Sequence, residues 1–328
     1  MVAVTGANGL LGSFIIRTLH ERGIPCVAFK RESSDTSLLA DLGEKVTWRT
    51  ANLLDAVGLE EALHDVTAVI HAAAIVSFNP RKARDVIENN VQSTHNLVNE
   101  CLARGIKTFI HVSSVAALGR QRNQRFVDET NQWIDNPMNT AYARSKYLSE
   151  LEVFRAQEEG MRVAIVNPSV ILAPGDWNRS SGKVFRYVWQ EKKFYSDAYL
   201  NYVDVRDVAD ITVRLLNSNI GGERFILNAG SIHIRELFSK IGERFRKRAP
   251  EVRLSPFLLG ILARLEGVRS LFTGKEPLIT RETARLAGTE FVYGNAKIKN
   301  ALSVEFQPID ETLDWCCQYY LSRNSFKN

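Results

Sequence analysis

Residues 2–12 read Val2-Ala3-Val4-Thr5-Gly6-Ala7-Asn8-Gly9-Leu10-Leu11-Gly12, and the fold follows from them. Val2 to Thr5 is a short apolar, β-branched run. Glycines spaced G-x-x-G-x-x-G come next, and residues 10–22 then carry apolar side chains at helical intervals. A strand that enters a helix through glycines lets the backbone approach a pyrophosphate, and the helix N-terminus meets it with free N–H groups and partial positive charge. Glycines alone also make tight turns. The strand before them and the helix after them give the motif its meaning, and Gly6, Asn8, Gly9, Leu10, Leu11 and Gly12 become the candidate phosphate loop.

Outward from this loop the same rhythm repeats. Strands are expected at Cys26–Lys30, 46–50, Ala68–His71, 107–113 and 163–166, the last stopped by Pro168, with long helices at 84–104 and 140–159. Strands alternating with helices form βαβ units, so the fold class is α/β, a doubly wound parallel sheet of the Rossmann kind. The rhythm breaks at Pro174-Gly175-Asp176. A helix at 203–216 and a strand at 224–227 return to the sheet. From Gly230 the pattern is mostly helical, with Ile234–Phe245 strongly amphipathic and Gly or Pro at 250, 256, 260, 267, 274 and 277 cutting the rest short. The expected organisation is a nucleotide-binding core of residues 1–172, rejoined by 200–228. A smaller, mostly helical substrate-binding lobe takes 173–199 and 229–328.

The chain has 328 residues, 45% hydrophobic and 24% charged, which excludes global disorder, collagen and coiled coil. The longest apolar stretch, 256–263, is far short of the ~20 residues that span a bilayer, and the apolar N-terminus lacks a basic leader region. Cys26, Cys101, Cys316 and Cys317 show no C-x-x-C spacing, so reduced thiols in a cytoplasmic protein are expected. The net charge of +5 is mild. Its densest basic run, Arg244 to Arg253, reads as a solvated helix end rather than a nucleic-acid or membrane surface. The six histidines have no metal-ligand spacing, and no metal is expected.

Two further positions carry chemistry. An acid at the end of the second strand would bind a ribose 2′-hydroxyl and favour NAD. Here Phe29-Lys30-Arg31 precede the first acid, Glu32. Lys30 and Arg31 suit a 2′-phosphate, which favours NADP(H) and leaves NAD(H) as the alternative. Tyr142 and Lys146 lie four apart on an expected helix and share a face. An ammonium 4 Å from a phenol stabilises the phenolate by roughly 4 kcal/mol at an effective dielectric of ~20, moving it toward the range of a general acid. Ser113-Ser114 ends the preceding strand, where ligands of parallel sheets bind, although Ser114 also suits a turn cap. A second Tyr-x-x-x-Lys, Tyr293 to Lys297, has Gly294-Asn295 inside it and reads as structure. Trp177, Trp189 and Tyr195 suit either a pocket lining or aromatic packing.

Together these residues resemble the extended short-chain dehydrogenase/reductase family over nearly the whole chain. Gly6 to Gly12 is similar to its cofactor loop, and His71-Ala72-Ala73-Ala74 to the segment under the cofactor. Asn90-Val91 with Thr94 and Asn96-Leu97 resembles its N-V-x-G-T-x-N-L helix, with Ser93 in place of glycine. Asn167-Pro168-Ser169-Val170 and Tyr202-Val203-Asp204-Val205-Arg206-Asp207 resemble later signatures, and Asn52-Leu53 stands where Asp-Leu contacts adenine. The resemblance is strongest to dihydroflavonol-reductase-like members, which reduce ketones or aldehydes with NADPH. It implies a small carbonyl or alcohol substrate and a homodimer through the 84–104 and 140–159 helices. It also implies that Ser114, Tyr142 and Lys146 are catalytic: Tyr142 protonates the substrate oxygen, Ser114 orients it, and Lys146 lowers the Tyr142 pKa and holds the nicotinamide ribose. Asn90 supports Lys146 through water, and Ser113 belongs to the cofactor set. Nucleotide-sugar epimerases with tightly held NAD and 3β-hydroxysteroid-type dehydrogenases are the alternative branches. A sugar 4,6-dehydratase is disfavoured, because Val115-Ala116 follow Ser114 and neither side chain can move a proton.

Overall fold

The computed structural model describes residues 1–119, 121, 124–136, 138–255, 257–261, 266, 269 and 291–323. The expected breaks at Pro256, Gly267, Gly274 and Pro277, and the end of the lobe at 324–328, lie outside the described residues. The first half runs β1 (Val2–Thr5), α1 (Leu10–Glu21), β2 (Cys26–Lys30), β3 (Trp48–Thr50), α2 (Ala56–Ala62), β4 (Ala68–His71), α3 (Ala83–Ala103), β5 (Thr108–Val112), β6 (Phe126–Val127) and α4 (Ala141–Glu158). Then come β7 (Arg162–Pro168), β8 (Val170–Leu172), α5 (Gly182–Trp189), β9 (Phe194–Ser196), β10 (Tyr199–Asp204), α6 (Val205–Leu216), β11 (Glu223–Leu227), β12 (Gly230–His233) and α7 (Ile234–Phe245).

Seven strands form one parallel sheet in the order β11-β7-β5-β4-β1-β2-β3. The order reverses between β1 and β4, which opens the ligand crevice of a doubly wound sheet there. Alternate side chains go to opposite faces. Val4, Ala28, Ile70 and Val166 pack with Ile15, Ile16 and Leu19 of α1 and Val208, Ile211 and Leu215 of α6. Ala3, Val27, Val69, Phe109 and Ile165 pack with Leu59 of α2, Leu97 and Val98 of α3, and Val153 and Ala156 of α4. A third apolar cluster joins Phe185 and Val188 of α5, Leu237 and Ile241 of α7, and Leu313 and Tyr320 of the helix Ile309–Ser322.

Four expected boundaries move. Residues 203–216 are not one helix. Val203 and Asp204 end β10, and the helix begins at Val205 because the Asp204 carboxylate caps it, accepting from the Arg206 N–H at 2.8 Å. β10 pairs with β8 and β12 in a separate three-stranded sheet, so β11 is the strand that joins this region to the large sheet, while α6 packs on its face. Gly230–His233 is therefore strand, not helix. Pro168 closes β7 from inside, opposite Leu227, at a strand end where its missing donor is tolerated. The third strand starts at Trp48 rather than 46, after a 3₁₀ segment Ser37–Lys45.

The aromatic residues of the third apolar cluster pack on one another: Trp177 stacks on Tyr320 with centroids 4.2 Å apart, Trp189 meets Phe245 edge-on at 5.3 Å, and Tyr195 is buried. Arg244, first of the basic run, binds Asp310 and Asp314 of the C-terminal helix. All four cysteines are free thiols. Among the described residues no helix is long and apolar enough to cross a membrane, and no cluster of His, Cys, Asp or Glu has the make-up of a metal site.

Candidate active site

The glycine loop lies at the reversal of strand order. Gly6 has φ +68°, and a Cβ there would stand 2.7 Å from the Ala73 nitrogen. A Cβ on Gly12 would overlap the Gly6 carbonyl, so both positions need glycine for the loop to close on α1 and β4. Ala72 and Ala73 are tied to the loop by N–H bonds to the Thr5 carbonyl and hydroxyl, each 3.3 Å. The N-terminus of α1 has no side-chain cap and no acid in its first turn, which leaves its N–H groups for a ligand. This cradle fits a dinucleotide pyrophosphate. Lys30 ends β2 with its ammonium 5.7 Å from the Trp48 ring, and Arg31 beside it is exposed. Asn8 reaches across to the Asp35 carbonyl at 3.3 Å. After β3, Asn52 accepts from the Leu54 N–H, and Asn96 of α3 holds the Leu53 carbonyl.

The second group of residues comes together at the C-terminal edge of β5. Thr140 caps α4, accepting from the Ala143 N–H at 3.0 Å, and this places Tyr142 and Lys146 on successive turns of one face. Lys146 is buried and donates to the Val112 carbonyl at 2.8 Å. Burial pushes its pKa down to about 8, against the pull of Glu150. The Ser114 hydroxyl lies close enough to the Tyr142 phenol to favour its ionised form, and it accepts from the Ala116 N–H at 3.2 Å. The turn-cap reading of Ser114 is thus realised.

One expectation needs correction. Burial pushes the Tyr142 phenol up to about 12, and the group that opposes this is Ser114 rather than Lys146, whose ammonium is committed to the Val112 carbonyl. Asn90 is buried on α3. Its amide brackets the backbone of Ile75, accepting at 2.7 Å and donating at 3.0 Å, and donates to Ser145 at 3.0 Å. It fixes the loop after β4.

Of the remaining candidates, Ser113, Asn167 and Ser169 are buried at the same edge, Ala74 lies exposed after β4, and Val170 is exposed at the start of β8. Asn167 donates to the Ser114 carbonyl at 3.0 Å. Two features were not singled out from the sequence. Phe78 places its ring 6.0 Å from that of Tyr142, with Ile75 and Val76 exposed on the same loop. No spacing links residue 78 to residue 142, so nothing in the chain announces this. The buried Glu150 pairs with Arg224, which is 18% exposed, and position 150, one turn beyond Lys146, was a readable signal. His71 bridges the Thr5 hydroxyl at 2.7 Å and the Thr94 hydroxyl at 3.1 Å, linking the glycine loop to α3.

Comparisons with known proteins agree with the fold. Residues 2–230 match the NAD dependent epimerase/dehydratase family. The chain is 27% identical to sterol demethylase protein B of Methylococcus capsulatus, over 86% of this chain and 87% of that protein. It is also 27% identical to a candidate dihydroflavonol 4-reductase of Synechocystis sp., over 94% of this chain and 91% of that protein. The solved structure of gox2253 is similar with a TM-score of 0.85 at 28% identity, covering 100% of this chain and 99% of that one. The chain therefore belongs to the NAD-dependent epimerase/dehydratase family, within the extended short-chain dehydrogenases/reductases, and is an enzyme of that kind.

Proposed function

We propose that the enzyme reduces a ketone or aldehyde with NADPH. The observation that carries this is the meeting of Ser114, Tyr142 and Lys146 at the C-terminal edge of β5, in the same sheet as the glycine cradle. When bound, the reduced nicotinamide supplies a hydride to the carbonyl carbon. Tyr142 passes its phenolic proton to the carbonyl oxygen as charge develops there, and Ser114 donates a hydrogen bond to the same atom. Lys146, its ammonium on the Val112 carbonyl one helical turn from Tyr142, would hold the nicotinamide ribose. Gly6, Gly9 and Gly12 receive the pyrophosphate, with Leu10, Leu11 and Ala72 to Ala74 around it. Lys30 and Arg31 receive the 2′-phosphate, since no carboxylate ends β2. The exposed apolar side chains of Ile75, Val76 and Phe78 favour a substrate with an apolar body. The candidate dihydroflavonol 4-reductase among the relatives supports the same direction.

The test is to denature the purified protein and identify the released nucleotide by mass spectrometry. NADP, or a site that fills preferentially with NADPH, supports the reductase and leads to a carbonyl-substrate screen. Near-stoichiometric NAD overturns it in favour of an epimerase, which keeps its cofactor between turnovers. In the reductase, Arg31→Glu is expected to reduce the preference for NADPH over NADH by at least about tenfold, from loss of one charged phosphate contact.

A further inference from the structure

Tyr142, Lys146 and Glu150 follow one another at successive turns on a single face of α4. The first two have roles in the proposed chemistry and the third has none, yet its carboxylate is only 1% exposed. Burying a carboxylate is costly unless it is paired and hydrogen-bonded. Glu150 is both. Oε1 accepts from Asn167 Nδ2 at 2.6 Å, and the same nitrogen donates to the Ser114 carbonyl at 3.0 Å. Oε2 accepts from Arg224 Nη1 at 3.2 Å. Arg224, from β11, also donates to the Glu129 carbonyl at 2.9 Å and the Asn131 carbonyl at 2.6 Å. Asn131 in turn donates to the Leu118 carbonyl at 2.6 Å. Leu118 ends the turn that Ser114 begins. Two hydrogen-bonded paths thus leave one carboxylate and arrive at opposite ends of the Ser114 turn.

We propose that Glu150 is a positioning residue: through Asn167 and Arg224 its carboxylate sets the Ser114 turn against Tyr142, and its negative charge acts on Lys146. The groups facing Lys146 are His71 on β4, His111 on β5, and Tyr142 and Glu150 on its own helix. Both histidines are held neutral by burial, with Lys146 adding to the effect, so Glu150 is the anion of this set. Arg224 faces Glu150 from β11 and draws on the same charge.

The proposal rests on the reductase reading for its effect on turnover, but not for its effect on Lys146. The experiment compares the full-length wild type, Glu150→Gln, and the double variant Glu150→Gln/Arg224→Met. It follows the Lys146 amine by ¹⁵N-lysine NMR titration, thermal stability, and kcat and KM for NADPH with a carbonyl that the wild type reduces. Glu150→Gln takes from the mostly buried Arg224 guanidinium its anionic partner and is expected to lose stability. The double variant removes that charge and is expected to regain it. If Glu150 positions and polarises, both variants shift the Lys146 midpoint to lower pH by about one unit, a tenfold change in the protonation equilibrium. Both also lose about tenfold in kcat, with KM for NADPH within about twofold. An unmoved Lys146 midpoint, or a double variant that recovers wild-type kcat along with stability, overturns the proposal. The titration needs no substrate, so a wild type that reduces no carbonyl defeats the reductase reading and leaves this one still decided by Lys146.

Discussion

Tyr142 and Lys146 stand four apart, and so do Tyr293 and Lys297, but only the first pair shares a helix. Tyr293 closes a two-residue strand, Val292–Tyr293, paired with β6, and its ring is buried against Val115, Leu118 and Phe291. Gly294 and Asn295 then turn the chain, Asn295 donating to the Asn228 carbonyl at 2.7 Å, and Lys297 falls in the next helix, Ala296–Leu302. Its ammonium pairs with Glu223 at the surface and lies 5.1 Å from the Phe225 ring. One lysine is 35% exposed in its side chain, the other is 3% exposed and pushed down to about 8. A four-residue spacing acquires chemical meaning only when a continuous helix puts both side chains on one face and the fold then removes water from the lysine.

The largest expected difference between the pairs is in turnover. Tyr142→Phe removes the proton donor and is expected to lower kcat/KM by about 10²–10⁴-fold, the range of a general acid, while NADPH still binds. Tyr293→Phe removes a hydroxyl from a packing residue and is expected to stay within about twofold. Equal losses, followed by NADPH consumption, would erase the distinction. The next difference is in the pH dependence of stability. Burial holds the folded-state pKa of Lys146 at about 8, against the ordinary 10.5 that it regains on unfolding. The unfolded chain therefore binds more protons between those values, and stability rises with pH across that window. Lys146→Met removes the cost of the buried charge. It is expected to gain up to about 3 kcal/mol below pH 8 and to flatten the curve between pH 8 and 10, as read by denaturant titration.

The loop and the site residues were legible because each is a local event. The glycines of residues 6–12 sit between an apolar run and an amphipathic one, Ser114 ends a strand, and Tyr142 and Lys146 obey helical spacing. The boundary at Asp204 was not legible. Tyr199 to Leu216 contains no glycine or proline, so periodicity cannot divide it. What divides it is the buried Asp204 carboxylate, which caps α6 and accepts from Thr312, 108 residues away, at 2.8 Å. The electrostatics of Tyr142 were misjudged for a related reason. A pairwise charge estimate assumes that Lys146 addresses the phenol, whereas the fold offers it the Val112 carbonyl and buries both groups.

A smaller effect separates the two regions on the acid side. Beneath Lys146, His71 is pushed down to about 3 and His111 well below 6.5, in both cases chiefly by burial. The unfolded chain takes up these protons as pH falls through 6.5 and the folded chain does not, so stability is lost progressively below that pH. His111 carries two buried ring nitrogens without a hydrogen-bond partner, its ring 5.2 Å from that of His71. Nothing in its bonding would be missed in an apolar replacement, and His111→Leu is expected to make the acid limb shallower than in the wild type. An unchanged limb would show that His111 does not contribute to it. The smallest effect belongs to the exposed pair. Lys297→Met breaks a surface ion pair with Glu223, worth about 0–1 kcal/mol, and leaves an apolar chain on Phe225. Its thermal midpoint is expected to fall slightly at low salt and to match the wild type at high salt, where an exposed pair is screened. A loss that survives high salt would mean that Lys297 acts through its contact with Phe225, and the second pair would then be a packing device rather than an ionic one.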